Sequence, residues 1–228
     1  MIGIIVLCRY SSSRLPGKIL KPLNGKPILQ YIIERLEKLN HNIPVVICTS
    51  NEPSDDIIED YCKTNNLEIF RGHLENVAQR FLDCSKAHNF SSSVRINGDN
   101  VFLDYELIKS MIITHQSSHS LFTSNVKNRT FPKGMSVEIV DVNYYQNSIN
   151  YFKEEDKEHV MTYFYRKENK RHNFIYNSED YGKTLNFAID TPQDFNNASA
   201  VIELMKDSHV NYKMKEIIQL YNQVYEKK

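Results

Sequence analysis

The 228-residue sequence has no net charge, because 28 Lys plus Arg stand against 28 Asp plus Glu. A chain without a net field has no general means of recruiting nucleic acid, so none is expected as a partner and any anion site must be local. Long hydrophobic runs are also missing. The apolar start Ile2 to Leu7 passes directly into Cys8, Arg9 and a serine cluster, without the basic n-region and small-residue cleavage site of a secretion signal. No stretch approaches the roughly 18 apolar residues of a membrane span. These absences predict a soluble, cytoplasmic protein with no membrane partner. Cysteine is scarce: Cys8, Cys48, Cys62 and Cys84 are far apart, with no Cys-x-x-Cys pair. They fall in apolar-periodic segments where a reduced thiol acts as a small core residue, so neither a disulfide frame nor a zinc site is expected. Repeats, linkers and low-complexity segments are absent too, and the length suits a single domain over 1–228.

What is present alternates short β-rich runs with helical patterns, the arrangement of an α/β fold whose mostly parallel sheet carries helices on both faces. Ile2 to Leu7 reads as a buried central strand, and Ile28, Ile32, Leu36 and Leu39 recur at helical spacing after Pro27. Further strands are predicted at Val45–Cys48, Leu67–Phe70 and Ser93–Ile96. Between and after them come a helix capped by Ser54, one carrying Val77, Phe81 and Cys84, and one beginning near Asp104. The second half is less regular, and a small excursion over about 125–180 is predicted to leave the sheet and return. Strands are expected at 120–124, 136–142, 172–177 and 185–189, with helices over about 153–166, from Thr191-Pro192 to about 206, and over 213–225. In such folds ligands sit at the carboxyl ends of strands, which here are the loops 9–19, 49–54, 70–75 and 97–104.

The first of these loops, Arg9-Tyr10-Ser11-Ser12-Ser13-Arg14-Leu15-Pro16-Gly17-Lys18, gathers hydroxyls, backbone N–H groups and cations. Arginine forks onto phosphate oxygens, lysine adds a point charge and glycine lets the backbone approach, so the loop suits a polyphosphate. A solvated basic loop has the same composition. It is not a Walker A loop, since Gly-x-x-x-x-Gly-Lys-Ser/Thr is absent. Asp99 and Asp190 each follow an apolar strand, where a carboxylate can hold a hard cation such as Mg²⁺. Asp190 has a rival role in starting the helix at Thr191-Pro192. Lys133, Gly134 and Glu138 are compatible with orienting a polar substrate or with a hairpin. His159, on a helix without His-Glu-x-x-His or a cysteine partner, gives only a weak metal or triad signal. The paired Tyr and Phe residues over 144–165 read as core or subunit contact rather than base stacking.

The ordered set of motifs resembles the cytidylyltransferase family that includes the spore coat polysaccharide biosynthesis F-type proteins. That family is related to the synthetases that activate 3-deoxy-manno-octulosonate and nonulosonic acids with CMP. The resemblance spans nearly the whole chain. It rests on Ser12-Ser13-Arg14-Leu15-Pro16-Gly17-Lys18, on Phe70-Arg71-Gly72 with Val77 and Arg80, and on Arg95-Ile96-x-Gly98-Asp99. Pro132-Lys133-Gly134 with Val137-Glu138, Glu158-His159-Val160 and Asp190-Thr191-Pro192-x-Asp194-Phe195 complete it.

The resemblance implies a Rossmann-like nucleotidyltransferase fold and CMP transfer from CTP to an acidic sugar, with pyrophosphate released, for surface glycan synthesis. It implies that Arg14, Lys18, Asp99 and Asp190 are catalytic, with Asp99 and Asp190 sharing Mg²⁺. It further implies that Arg9, Ser12, Ser13, Arg14, Lys18, Arg71, Gly72 and Arg80 approach the nucleotide, that Lys133, Glu138 and His159 lie on the acceptor side, and that the chain is a homodimer. The chain departs from the family pattern at Leu7-Cys8-Arg9, in place of a Gln-Ala-Arg entry, and at Asn100-Val101, in place of an apolar pair after the aspartate. A sugar-1-phosphate nucleotidyltransferase using another nucleotide shares the fold and loop, and a non-catalytic nucleotide-binding subunit would keep the fold alone. Retention of both aspartates favours an enzyme.

Overall fold

The computed structural model describes residues 1–12, 14–39 and 42–225; Ser13, one of the expected nucleotide ligands, lies outside them. Six consecutive apolar residues, Ile2–Leu7, form β1, and every one is buried. This is the signature of a strand covered on both faces. Beyond the loop that follows, Pro22–Leu23 (β2) and Lys26–Pro27 (β3) pair as a small antiparallel hairpin. Asn24 and Gly25 turn it at positive φ. Its strands of two residues are too short to register as an alternating pattern. Then come α1 (Ile28–Leu36), β4 (Val45–Ser50), α2 (Asp56–Thr64), β5 (Glu68–Gly72), α3 (Val77–Ala87), β6 (Ser92–Asn97) and α4 (Tyr105–Ser117).

The second half supplies β7 (Phe122–Ser124), β8 (Glu138–Asp141), α5 (Val142–Ser148), α6 (Glu154–Glu158), α7 (Thr162–Arg166), β9 (His172–Phe174), α8 (Pro192–Glu203) and α9 (Met214–Tyr225). The seven strands other than β2 and β3 form one sheet in the order β5-β4-β1-β6-β8-β7-β9. β5, β4, β1 and β6 run parallel, β8 is antiparallel to both of its neighbours, and β9 is parallel to β7. The chain therefore winds from β1 outward to β4 and β5, then crosses back to place β6 on the other side of β1. That reversal opens a crevice between the carboxyl ends of β1 and β6.

Alternation along the strands divides the core. Ile4, Val6, Ile47, Val94 and Ile96 pack with Ile28 and Ile32 of α1, Ile108 of α4, Val201 of α8 and Ile217 of α9. Ile5, Leu7, Val46 and Cys48 point the other way, onto Val77 and Phe81 of α3, Tyr145 of α5 and Phe164 of α7. Helices thus cover both faces, as the sequence predicts. All four cysteines are buried free thiols within these clusters.

The structure corrects four local expectations. α2 is preceded by a 3-10 turn over Pro53–Asp55, and Ser54 does not cap it. The strand expected over 136–142 is shorter, because Asp141 accepts from the Tyr144 N–H at 2.7 Å and starts α5. The single helix expected over 153–166 is two helices, broken at His159–Met161, where buried Val160 takes a φ of +38°. Finally, 185–189 is not a strand. Its polar backbone is shared between a bridge from Asn186 to Lys133 and a bond from the Ile189 N–H to the Asp99 carbonyl at 3.1 Å. None of the described helices is long and apolar enough to cross a membrane.

Candidate active site at the carboxyl ends of β1 and β6

The loop after β1 is shaped by its own backbone. The Tyr10 carbonyl accepts from the N–H groups of Ser12 and Gly17, both at 2.9 Å. Gly17 adopts φ 69°, and a Cβ there would meet the Tyr10 ring at 3.0 Å, so the turn requires glycine. Asp55, which no sequence motif marks, anchors the loop from the 3-10 turn that follows the neighbouring strand β4. Its carboxylate accepts from Tyr10 N at 2.7 Å, Thr49 Oγ1 at 2.7 Å, Ser50 N at 3.0 Å and Ser50 Oγ at 2.5 Å. Burial alone would push this carboxyl up, but these donors hold it below the ordinary carboxylate range. Only its place just after β4 hinted at such a role.

The loop ends at Lys18, whose ammonium joins three separate parts of the chain. Lys18 Nζ lies 3.0 Å from Asp190 Oδ1, 3.7 Å from Asp99 Oδ2 and 2.8 Å from the Ile189 carbonyl. Arg14 reaches the same Asp190 Oδ1 at 3.1 Å. The four residues expected to be catalytic are therefore brought together. Asp190 is also free of its rival role. Thr191 Oγ1 accepts from the Asp194 N–H at 3.2 Å, and Asp194 Oδ2 accepts from the Thr191 N–H at 2.8 Å, so Thr191 and Asp194 cap α8 between them.

These groups line a cleft of about 540 Å³ with Arg9, Ser12, Arg80, Arg95, Glu158 and His159. Five cations (Arg9, Arg14, Lys18, Arg80, Arg95) face three carboxylates (Asp99, Glu158, Asp190) there, which concentrates positive charge locally in a neutral chain. Arg9 bonds Glu158 at 2.7 Å and so ties the first loop to α6. Arg80 is buried and donates to the carbonyls of His73 and Leu74 at 2.6 and 3.3 Å. His159 is exposed at the cleft wall.

Other expected ligands lie elsewhere. Arg71 turns to α2, with Asp56 at 2.7 Å and Glu59 in a closer ion pair, and it also donates to the Ser50 and Glu52 carbonyls at 2.9 and 2.8 Å. Gly72 instead makes room for Arg80, whose Cγ would be 3.0 Å from an added Cβ. Lys133 is exposed and away from the cleft lining. Glu138 is buried behind the wall, where it pairs with Arg95 and accepts from the Tyr165 hydroxyl. Arg95, within a quoted motif but given no role, stands in the cleft.

Asp99 is half-buried just beyond β6. Burial pushes its carboxyl above the ordinary range, Lys18 opposes this and Asp190 adds to it. Its Oδ1 is buried without any hydrogen-bond partner. A buried, unpaired carboxylate oxygen beside a second carboxylate is a donor set suited to a hard cation. The described residues gather no group of three or more His, Cys, Asp or Glu ligands, so a cation bound there takes the rest of its shell from water and substrate oxygens.

A family model described as cytidylyltransferase matches residues 3–224. The spore coat polysaccharide biosynthesis protein SpsF of Bacillus subtilis (strain 168) is 30% identical over 217 residues, which cover 89% of this chain and 86% of that protein. The 3-deoxy-manno-octulosonate cytidylyltransferase of Colwellia psychrerythraea is 25% identical over 174 residues, 72% of this chain and 56% of that one. Among solved structures, a cytidylyltransferase from Leptospira borgpetersenii superposes with a TM-score of 0.89 at 28% identity, covering 99% of this chain and 95% of that chain. A cationic loop at the sheet's switch point, two acids at its rim and a match along nearly the whole length agree: the chain belongs to the cytidylyltransferase family.

Proposed function

We propose that the protein transfers a cytidylyl group from CTP to a hydroxyl of an acidic sugar of the ulosonic or nonulosonic type. Pyrophosphate is released, and the CMP-sugar feeds surface glycan synthesis. The observation that carries this reading is the Lys18 ammonium set between Asp99 and Asp190, with Arg14 on the same Asp190 oxygen. The acceptor class follows the octulosonate relative, and the surface-glycan destination follows the SpsF likeness.

In the reaction the acceptor oxygen bonds to the α-phosphorus as the bond to the bridging oxygen breaks, and charge grows on the departing pyrophosphate. Arg14 and Lys18 hold that pyrophosphate, in keeping with a forked guanidinium and a point charge at one end of the cleft. Asp99 and Asp190 are the residues that would hold Mg²⁺. Bound there, the ion offsets the developing negative charge and aligns phosphate oxygens. Arg9, Ser12 and Arg80 line the remainder of the nucleotide's path, and His159 faces the acceptor. A homodimer formed through 125–180 belongs to the same reading, and Tyr151 and Tyr176 of that segment are exposed. A cytoplasmic location, where CTP is made, is part of it.

The test is calorimetric titration with CTP, UTP, GTP, ATP and dTTP, with and without Mg²⁺. Selective, Mg²⁺-assisted binding of CTP is expected. Asp99→Asn and Asp190→Asn should each abolish Mg²⁺-dependent pyrophosphate release while the fold persists by circular dichroism. Preference for another base would move the reading to a sugar-1-phosphate nucleotidyltransferase, and near wild-type turnover in either variant would remove that residue from the metal set.

A further inference from the structure

Behind the cleft wall lies a buried polar network built on Glu138. Arg95 Nη1 pairs with Glu138 Oε2, the Tyr165 hydroxyl bonds Glu138 Oε1, and Ser124 Oγ lies 2.7 Å from the Tyr165 hydroxyl. Glu138 is 2% exposed and the Arg95 side chain 18%, so the carboxylate is held away from bulk water while the guanidinium keeps one side toward the cleft. Such an arrangement fixes a guanidinium firmly. Arg95 Nη1 faces Glu138 and Nε is buried without a partner, whereas Nη2 is not so buried and has no partner among the described residues. Nη2 is therefore left as an unused donor on a cleft-lining side chain.

Sheet register says which side of the cleft this nitrogen serves. Arg95 opposes Ile5 and Asn97 opposes Leu7 in the parallel β1–β6 ladder. Ile5 and Leu7 pack toward α3, so Arg95 shares the face of Val77, Arg80 and His159. Lys18 and Asp190 are flanked by Ile19 and Ile189, which belong to the opposite core. In-line transfer requires the entering oxygen to lie across the α-phosphorus from the leaving pyrophosphate. With pyrophosphate on Arg14 and Lys18, the acceptor comes in on the Arg95 side. The other cations there are committed, Arg80 to two carbonyls and Arg9 to Glu158.

We infer that Arg95 receives the carboxylate of a 2-keto sugar acid through Nη2, with Glu138 and Tyr165 as positioning residues behind it. The inference rests on the cytidylyl-transfer reading above. In such an acid the anomeric carbon carries both the attacking hydroxyl and the carboxylate, so a guanidinium held in place by Glu138 fixes the carboxylate and aims the hydroxyl together. A lysine cannot reproduce that. The Arg95 charge also reaches Asp99, whose carboxyl it draws down, so the carboxylate and the metal-side acid are neighbours across the reacting centre.

The experiment titrates CTP alone, and then a panel of acceptors into CTP-loaded protein, by calorimetry. The panel is 3-deoxy-manno-octulosonate, N-acetylneuraminate and the C1 amide of each, and steady-state kinetics are run on whichever acid binds. Arg95→Lys and the charge-neutral pair Arg95→Gln/Glu138→Gln, which leaves no buried charge alone, should weaken the acid at least about tenfold and CTP by less than about threefold. The amide should bind both variants as weakly as it binds the wild type. Glu138→Gln should raise the acceptor KM more than it lowers kcat, a split that general loss of fold would not give. Wild-type affinity for the acid in the paired variant would overturn the Arg95 assignment while leaving cytidylyl transfer intact. Wild-type protein that binds CTP but none of the acids would overturn the acidic acceptor and Arg95 with it.

Discussion

Gly98 sits where a Cβ would lie 2.7 Å from Cys8 Cβ and 3.2 Å from the Leu7 carbonyl oxygen. Only glycine lets the end of β6 close on the end of β1, and that closure sets Asp99 at the rim. Gly98→Ala should therefore cost about 1–3 kcal/mol by overpacking and weaken Mg²⁺-assisted CTP binding, read from urea midpoints and calorimetry; unchanged values in both would show that the neighbours yield freely. Asp99 and Asp190 were legible in the sequence because an acid at the end of a strand-like run, after Gly98 in one case and after Ile189 in the other, is conspicuous. Asp190 could not be separated from a helix cap until Asp194 was seen to take that work. Arg95 was hidden because one charged residue in a strand looks like an exposed alternation, and here its face is the cleft. Arg71 was misplaced because nothing local reveals that Asp56 and Glu59, one turn apart on α2, capture it.

Among the elements, α8 shows how a helix start positions a site. Thr191 and Asp194 form the reciprocal cap, and Asp194 Oδ2 also accepts from the Asp190 N–H at 3.1 Å. Thr191→Ala should cost about 1 kcal/mol of stability and also reduce CTP affinity, since the backbone carrying Asp190 loses a restraint. A stability loss without any change in CTP binding would separate the cap from the site. The parallel half of the sheet was readable from its apolar runs. The segment 185–189 has the composition of a strand but finds two different backbone partners in place of a ladder, and no pattern in the chain announces that. The helix expected over 153–166 has continuous helical composition, yet it breaks at Val160, whose side chain is buried and whose carbonyl accepts from the Tyr145 hydroxyl at 2.9 Å. Tertiary contact decides that break against local propensity.

At the scale of the whole molecule, His115 is a gauge of acid stability. It bridges α4 to the sheet, with Nδ1 2.9 Å from Thr123 Oγ1 and Nε2 3.3 Å from Ser92 Oγ, and burial pushes its pKa down to about 4. The unfolded chain takes up this proton below about pH 6.5, whereas the native protein does so only near pH 4. Stability is thus fully present above the unfolded value and is lost as pH falls through this window, by up to about 3 kcal/mol. His115→Gln should flatten the pH dependence of the urea midpoint between neutrality and about pH 4.5; an unaltered slope would assign the acid sensitivity to other groups.

The contact that holds the centre together spans almost the whole chain, since Lys18 and Asp190 are 172 positions apart. Asn24 and Ser199, which join the same two ends of the chain beside the hairpin, are 175 apart. The parallel strands β5, β4, β1 and β6 are complete by residue 97. A chain emerging from the ribosome accordingly owns its scaffold, and the cationic loop upon it, long before it owns the second acid. On the proposed reading nucleotide chemistry waits for that acid, so an unfinished chain would hold the loop without the means to spend CTP.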